Sequence, residues 1–329
     1  MLEPEIEAFV ASASALYPAD AASLPVAQQR MLYERFSATF TAPLPLGVTV
    51  RNAVFTAAAG HTVALRAYYS HDCNHGHGRE MSSAAGTVLY FHGGGFVLGS
   101  LDSHQLITAR LAADTGLCVV AVDYRLAPEH PAPAAHDDCL EITLAALAGH
   151  LPLALPRCKS LQLAGDSAGG TLAASVAMQL RERNIEGVQG MTLVYPMLGA
   201  VPQPPARDTE AHAPCLTLAD VQAFRRLYWQ DTAPPWTTPL DAARFDGLPS
   251  TLAIGVQHDP LRDDAVVFVQ RIQATGGRAE IWLGEGLVHG CWRALDTSPG
   301  VQRMHSRICA FLRGTADAQG SGLQHVLTV

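Results

Sequence analysis

Apolar and polar residues change their rhythm several times along the chain. Residues 1–45 carry helical spacing: Leu32, Phe36 and Phe40 fall on one face, and Ser23 can cap a helix that has Pro25 in its first turn. Residues 47–57 and 61–70 alternate, as the two strands of a hairpin do. Short, almost unbroken apolar runs follow at Thr87-Val-Leu-Tyr-Phe, Cys118-Val-Val-Ala-Val, Leu161-Gln-Leu-Ala, Met191-Thr-Leu-Val, Thr251-Leu-Ala-Ile and Ala279-Glu-Ile-Trp-Leu. Helical patterns near 103–115, 134–149, 168–183, 262–275 and 300–313 separate most of them. Strands without a polar face, alternating with helices, belong in a parallel sheet covered on both sides, so the pattern predicts an α/β fold.

One stretch breaks the alternation. Residues 199–245 are rich in proline and hold a single helical pattern near 217–230, which Thr217 can cap with Asp220 three residues on. The stretch follows a strand that ends in Tyr195-Pro196. Structured insertions at the C-terminal ends of strands usually shape a site, so this one is read as a cap, working with the N-terminal helices. The expected division is N-terminal cap helices (1–45), a first core segment (46–198), the cap insertion (199–245), a second core segment (246–313) and a turn-rich tail (314–329). No internal repeat is visible.

Composition narrows the function classes. With 48% hydrophobic and 16% charged residues among 329, a large core can be buried. The net charge of -8, with no Lys/Arg-rich run, argues against a nucleic-acid partner and favours neutral substrates over strongly anionic ones. The 7 cysteines are irregularly spaced and form no Cys-x-x-Cys pair, which argues against a disulfide framework and for a reducing compartment, the cytoplasm by default. The chain begins with acidic residues where a secretory leader would carry basic ones. No apolar stretch is long enough for stable membrane insertion. The oligomeric state stays open, a homo-oligomer included.

The chemistry concentrates in loops that follow strands. Gly165-Asp-Ser-Ala-Gly169 is a G-x-S-x-G sequence between a strand pattern and a helix pattern, the context of a nucleophile elbow, and it makes Ser167 the candidate nucleophile. Such a turn needs small residues two before and two after the serine, and Gly165 and Gly169 supply them. His92-Gly-Gly-Gly-Phe96 follows the strand at 87–91. Its three glycines expose backbone N–H groups able to bind an oxyanion. The Lys-Ser/Thr ending of a phosphate-binding loop and the spacing of a dinucleotide site are both missing.

A serine nucleophile needs a base, and the base needs an orienter, in the chain order Ser, acid, His. Four histidines lie downstream: His212 in the insertion, His258 too early, His305 inside the last helix pattern, and His289 in a glycine-flanked loop after the last strand. For the acid, Asp259 ends the strand pattern 251–257 before Pro260. Asp263 and Asp264 fall in the first turn of the next helix, where the helix dipole alone accounts for acidic residues. Each residue is ambiguous alone. Three loops in the right order, each just past a strand, are much less so.

Taken together, His92-Gly-Gly-Gly95, Ser100-Leu-Asp102, Asp123-Tyr-Arg-Leu-Ala-Pro-Glu-His-Pro131, Gly165-Asp-Ser-Ala-Gly-Gly170, Asp259-Pro-Leu-Arg-Asp263 and His289-Gly290 resemble the motif set of the hormone-sensitive lipase family of α/β-hydrolases. Within it the chain looks most similar to bacterial carboxylesterases, over about Val48 to Leu312. The resemblance implies an α/β-hydrolase fold, with a mostly parallel eight-stranded sheet, helices on both faces and a helical cap. It implies a triad of Ser167, Asp259 and His289, an oxyanion hole of Gly94, Gly95 and Ala168 amides with Gly93 shaping the turn, and no cofactor. Two departures bear on pocket shape. Cys291, followed by Trp292, stands where the family often has an aromatic residue, and His258 stands where many members have one. Arg125 and Glu129 are read as ion-pairing anchors of a loop beneath the site.

The expected activity is hydrolysis of small-molecule carboxylic esters of short to medium chain through an acyl-enzyme. Phe96, Tyr228 and Trp229 are expected to line the substrate pocket. The alternatives are an amidase or deacetylase with the same triad, a lipase acting on longer chains, and a non-catalytic receptor, whose signature would be loss of the triad histidine. His71, Cys73, His75 and His77 are metal-ligand types at close spacing. No carboxylate pattern accompanies them, and alternate residues of a glycine-containing loop need not converge, so no metal is expected.

Overall fold

The computed structural model describes residues 1–18, 21–70, 86–155, 160–230 and 233–317. Its centre is one sheet of eight strands: β1 (Thr49–Thr56), β2 (Thr62–Tyr69), β3 (Thr87–Phe91), β4 (Cys118–Asp123), β5 (Leu161–Asp166), β6 (Val188–Val194), β7 (Ser250–His258) and β8 (Ala279–Val288). They lie in the order β1-β2-β4-β3-β5-β6-β7-β8. Only β2 runs antiparallel to its neighbours β1 and β4, and the other pairs are parallel. The predicted mostly parallel α/β sheet is thus observed.

The helices are α1 (Pro4–Leu16), α2 (Val26–Ala38), α3 (Gln105–Thr115), α4 (Ala134–Leu147), α5 (Ala168–Glu182), α6 (Ala206–Thr209), α7 (Leu218–Trp229), α8 (Arg262–Ala274) and α9 (Pro299–Asp317). They cover both faces. Leu89, Val120, Leu163 and Met191 turn to one side and pack with residues of α4, α5 and α8. Val88, Tyr90, Val119 and Ile254 turn to the other and pack with residues of α1, α3 and α9. Two-sided burial explains why these strands lack polar alternation in the sequence.

Strand order also fixes where a site can form. β3 leads to β4 on one side, while β5 pairs with β3 on the other. The chain reverses its direction of travel across the sheet here, so the loops that leave the C-terminal ends of β3 and β5 diverge and open a crevice.

Three local expectations need correction. Ser23 closes a 3-10 turn (Ala21–Ser23), and α2 starts at Val26 behind Pro25 with no side-chain cap. The fixed extended geometry of Pro25 makes the entry turn in its place. The 199–245 stretch holds more than one helix. It contains α6, two 3-10 turns (Pro235–Thr237 and Pro239–Asp241), and α7, which starts with the reciprocal Thr217–Asp220 capping box. The acidic first turn of α8 does more than answer a dipole. Asp264 accepts from the amides of Leu198 (2.8 Å), Gly199 (3.1 Å) and Gln203 (2.7 Å), and Asp263 accepts from Ala206 N (2.7 Å). The two carboxylates tie the start of the insertion to the core.

Arg125 and Glu129 are both ion-paired, though to partners elsewhere. Arg125 grips Asp138 of α4 at 2.8 Å, and Glu129 pairs with Arg30 of α2 at 2.7 Å. Arg30 also donates to the carbonyls of Val97 and Ala127, both at 2.9 Å, so α2 is fastened to the loop that follows β3.

The Asp264 contacts give a test of the anchoring. Asp264→Ala leaves three backbone amides without acceptors in a buried setting, a loss on the order of 3 kcal/mol. Urea denaturation should show that loss, while Asp208→Ala, at an exposed Arg207–Asp208 pair, should leave the midpoint unchanged.

Candidate active site

Ser167 is the single residue between β5 and α5. Its backbone sits at φ 52, ψ -121, a conformation that a residue with a side chain adopts only when its surroundings force it. Those surroundings are backbone on backbone. A Cβ at Gly169 would stand 1.9 Å from the Phe91 carbonyl oxygen, and one at Gly165 would stand 2.3 Å from the Gly169 carbonyl carbon. Only glycine allows β3, β5 and the start of α5 to approach this closely. The Ser167 amide donates to Val194 O at 2.8 Å, which fixes the turn against β6.

The two other residues each stand one position past a strand. Asp259 follows β7 and His289 follows β8. His289 Nε2 lies 2.9 Å from Ser167 Oγ, and His289 Nδ1 lies 2.8 Å from Asp259 Oδ2. Asp259 is fully buried, and its other oxygen accepts from Leu261 N at 2.8 Å. A carboxylate facing Nδ1 assigns the proton to that nitrogen and leaves Nε2 to accept from the serine hydroxyl. Of the rival histidines, His258 pairs with Glu210 at 3.2 Å, and His305 bonds to Asp114 at 2.9 Å. Asp263 and Asp264 face the insertion.

Beside Ser167 lies the loop after β3. Gly94 and Gly95 have φ of 121 and 62, values that favour glycine, and the turn is closed by Val97 N and Leu98 N donating to Gly94 O. Among the described residues the amides of Gly94, Gly95 and Ala168 have no acceptor, and all three residues line the same cavity as Ser167 and His289. Gly93 N donates instead to Asp166 Oδ1 at 3.0 Å.

Asp166, the variable residue of the elbow, ties these parts together. Tyr90 donates to it at 2.5 Å, and His104 lies 3.5 Å away. Burial alone would raise its carboxyl, but His104, the Tyr90 hydroxyl and Arg293 together outweigh burial and hold it well below the usual carboxylate range. Burial, and then the nearby His104, push His92 down to about 3, so its ring is neutral at physiological pH. His92 stacks on Tyr124 at 4.3 Å, and its Nδ1 lies 2.8 Å from Gly93 O, which pins the base of the loop.

The cavity has a volume of about 630 Å³, within the range of sites that enclose a small ligand. Residues of α1 and α2 (Phe9, Tyr33), Tyr17 just past α1, and residues of the insertion (Leu216, Val221, Phe224) form its walls. Phe96, Tyr228 and Trp229 do not. Phe96 and Tyr228 are fully buried and stack face to face at 4.0 Å, and the Trp229 indole donates to Thr237 at 2.7 Å. The positive φ of Phe96 turns its ring beneath the loop, and Tyr228 lies a full turn of α7 beyond the cavity-facing residues. Of the aromatic residues of α7, Phe224 reaches the site, where a Cβ at Gly95 would collide with its ring. Tyr33, Phe224 and Arg293 had no sequence signal beyond helical spacing or proximity to His289. The segment with His71, Cys73, His75 and His77, where no metal is expected, lies outside the described residues. Among the described residues no group of three or more His, Cys, Asp or Glu could hold a metal, and no helix is long and apolar enough to cross a membrane.

A family model described as alpha/beta hydrolase fold matches residues 88–293. The chain belongs to the α/β-hydrolases. Its branch is the hormone-sensitive-lipase-like one that its motifs resemble. This α/β-hydrolase is 37% identical over 210 residues to Esterase LipI of Mycobacterium tuberculosis, covering 63% of this chain and 65% of that one. It is 36% identical over 212 residues to Carboxylesterase NlhH of the same organism, covering 62% and 65%. The hydrolase thus spans 65% of the length of these mycobacterial relatives. Over a longer stretch of 272 residues it is 29% identical to an ethyl acetate hydrolase of Pseudomonas putida, covering 81% and 83%. Among solved structures, a hyperthermophilic esterase from Pyrobaculum calidifontis superposes with a TM-score of 0.83 at 30% identity, covering 96% of this chain and 99% of that one.

The Asp166 cluster gives a pH test. A carboxylate held below its ordinary range contributes stability above about pH 4, its unfolded value, and loses that contribution as pH falls toward the folded value. Asp166→Asn should therefore lower the urea midpoint at pH 7, and the gap to wild type should narrow as the pH drops below about 4. A gap that stays constant from neutral to strongly acidic pH would contradict the assignment.

Proposed function

We propose that this α/β-hydrolase is a serine carboxylesterase that cleaves short- to medium-chain carboxylic esters through an acyl-enzyme. The reading rests on one observation above all: the hydrogen-bonded series Asp259–His289–Ser167 ends at a cavity beside three amides that have no acceptor among the described residues. The naming of its relatives as esterases supports the same reading.

Ser167 Oγ attacks the ester carbonyl carbon while His289 Nε2 takes its proton. Asp259 holds the imidazole and stabilises the imidazolium. The carbonyl oxygen becomes an oxyanion within reach of the Gly94, Gly95 and Ala168 amides, each such donor being worth about 3–4 kcal/mol in known hydrolases. His289 then returns the proton to the leaving alkoxide. Water repeats the attack on the acyl-serine, giving up its proton to His289; the acyl–Oγ bond then breaks, His289 returns that proton to Ser167 Oγ, and the carboxylic acid departs. The helices α1 and α2 and the 199–245 insertion act as the cap that keeps bulk water from the cavity. Cys139, Cys215, Cys291 and Cys309 are free thiols, which suits a reducing compartment such as the cytoplasm.

Substitutions test the roles. Ser167→Ala should abolish ester turnover with unchanged thermal unfolding. Asp259→Asn should lower kcat by roughly 10⁴, because the histidine takes the wrong tautomer. Asp263→Asn should cost far less catalysis. A more damaged Asp263 variant of unchanged stability would move the orienting role away from Asp259.

A chain-length series tests the substrate class. Each methylene gains about 0.8 kcal/mol while it finds apolar wall to bury against, and the gain ends at the cavity boundary. The kcat/KM for p-nitrophenyl esters should rise from two carbons and fall beyond roughly eight. A steady rise through long chains, with strong activity on emulsified triglycerides, would make the protein a lipase.

A further inference from the structure

The cavity wall is largely apolar, with Phe9, Val10, Phe36, Leu98 and Ile107 among its residues. Arg293 interrupts it. Four residues beyond His289, in the 3-10 turn Cys291–Ala294, it lines the cavity while only 6% exposed. No carboxylate oxygen among the described residues lies within 4.0 Å of its guanidinium. Asp166 balances the charge only across His104, which stands 3.5 Å from each of them.

A guanidinium carries five N–H groups. One on Nη1 donates to Ser103 O at 2.7 Å, and Nη2 donates to the Tyr33 hydroxyl at 2.7 Å and faces His104 Nε2 at 3.5 Å. The Nε–H and the second Nη1 hydrogen have no acceptor among the described residues. Tyr33 also lines the cavity, and its oxygen accepts from Arg293, so its own hydrogen is available to donate. A buried cation with unanswered donors is costly to maintain unless something answers them. This stretch of wall offers donors only, and the group complementary to it is an acceptor.

We propose that Arg293 and Tyr33 form a polar subsite of the catalytic cavity that receives an accepting oxygen of the substrate remote from the scissile carbonyl, a ketone or carboxylate oxygen on the acyl or alcohol part. The proposal deepens the esterase reading and rests on it. An ester with a plain alkyl chain leaves the donors unanswered, and sites built to bond a polar group discriminate against analogues that lack it.

The test compares kcat/KM within matched pairs on the wild-type protein. p-Nitrophenyl levulinate against p-nitrophenyl pentanoate replaces a methylene by a ketone. Mono-p-nitrophenyl glutarate against p-nitrophenyl hexanoate introduces a carboxylate. 4-Oxopentyl butyrate against pentyl butyrate moves the ketone to the alcohol side. In at least one pair the acceptor-bearing ester should be preferred by about tenfold or more. Arg293→Met and Tyr33→Phe should each bring that ratio close to one. The ratio cancels any general loss of activity, and Tyr33→Phe carries the test if the arginine variant fails to fold. Turnover of the plain esters with no preference in any pair overturns the subsite while leaving the esterase reading intact, as does a preference that survives both variants. Absence of turnover with every ester, from a folded wild-type protein, overturns both.

Discussion

Backbone touches backbone at the Ser167 turn, and the site is arranged around that contact. The Phe91 carbonyl at the end of β3 and the first turn of α5 approach until no Cβ fits at Gly169, and Gly165 is pressed against the same turn. This closeness holds Ser167 at φ 52 and lifts its hydroxyl out of the sheet, clear of neighbours on its own strand. It also brings the glycine loop after β3 beside the start of α5, so amides from two distant segments line one cavity with the serine. The strain at one residue is sustained by buried strands on either side, whose apolar runs supply the cohesion.

A second layer of polar contacts sets the orientation of that loop. Asp166 holds Gly93 N, takes the Tyr90 hydroxyl and answers His104, so one carboxylate fixes the base of the glycine loop from within the elbow itself. The Arg30 bonds to the Val97 and Ala127 carbonyls attach α2 to the far end of the loop. The helices that wall the cavity and the loop that offers its amides are therefore mechanically connected. The insertion is attached in the same manner through Asp263 and Asp264. The cavity is a joint product of three chain segments, each tied to the sheet by buried hydrogen bonds.

How legible this was in the sequence depended on how local each signal was. The sheet could be read because a strand buried on both faces leaves an unbroken apolar run. Ser167 could be read because its turn demands glycines two before and two after. Asp259 and His289 were marked by order and by their place just past a strand, and the structure sets His289 within hydrogen-bond distance of both Asp259 and Ser167. The pocket walls were not legible. Phe96 and Tyr228 look like lining residues by position, yet a positive φ and a further helical turn carry them into a buried stack, while Phe224 reaches the glycine loop. Asp263 and Asp264 looked like ordinary dipole partners because the amides that donate to them, at Leu198 to Ala206, lie about sixty residues away. Such partners leave no local pattern.

We propose Ser167 as an activated nucleophile beside an oxyanion site. The most direct measurement is covalent titration with p-nitrophenyl ethyl butylphosphonate, followed by peptide mass mapping. The phosphorus should accept Ser167 Oγ and expel p-nitrophenolate, so that one equivalent of nitrophenolate is released per chain. The mass increase should fall on the peptide containing Ser167, and labelling should become very slow in His289→Ala. Modification at another residue, or a folded protein that releases no stoichiometric nitrophenolate, would rule out Ser167 as the nucleophile.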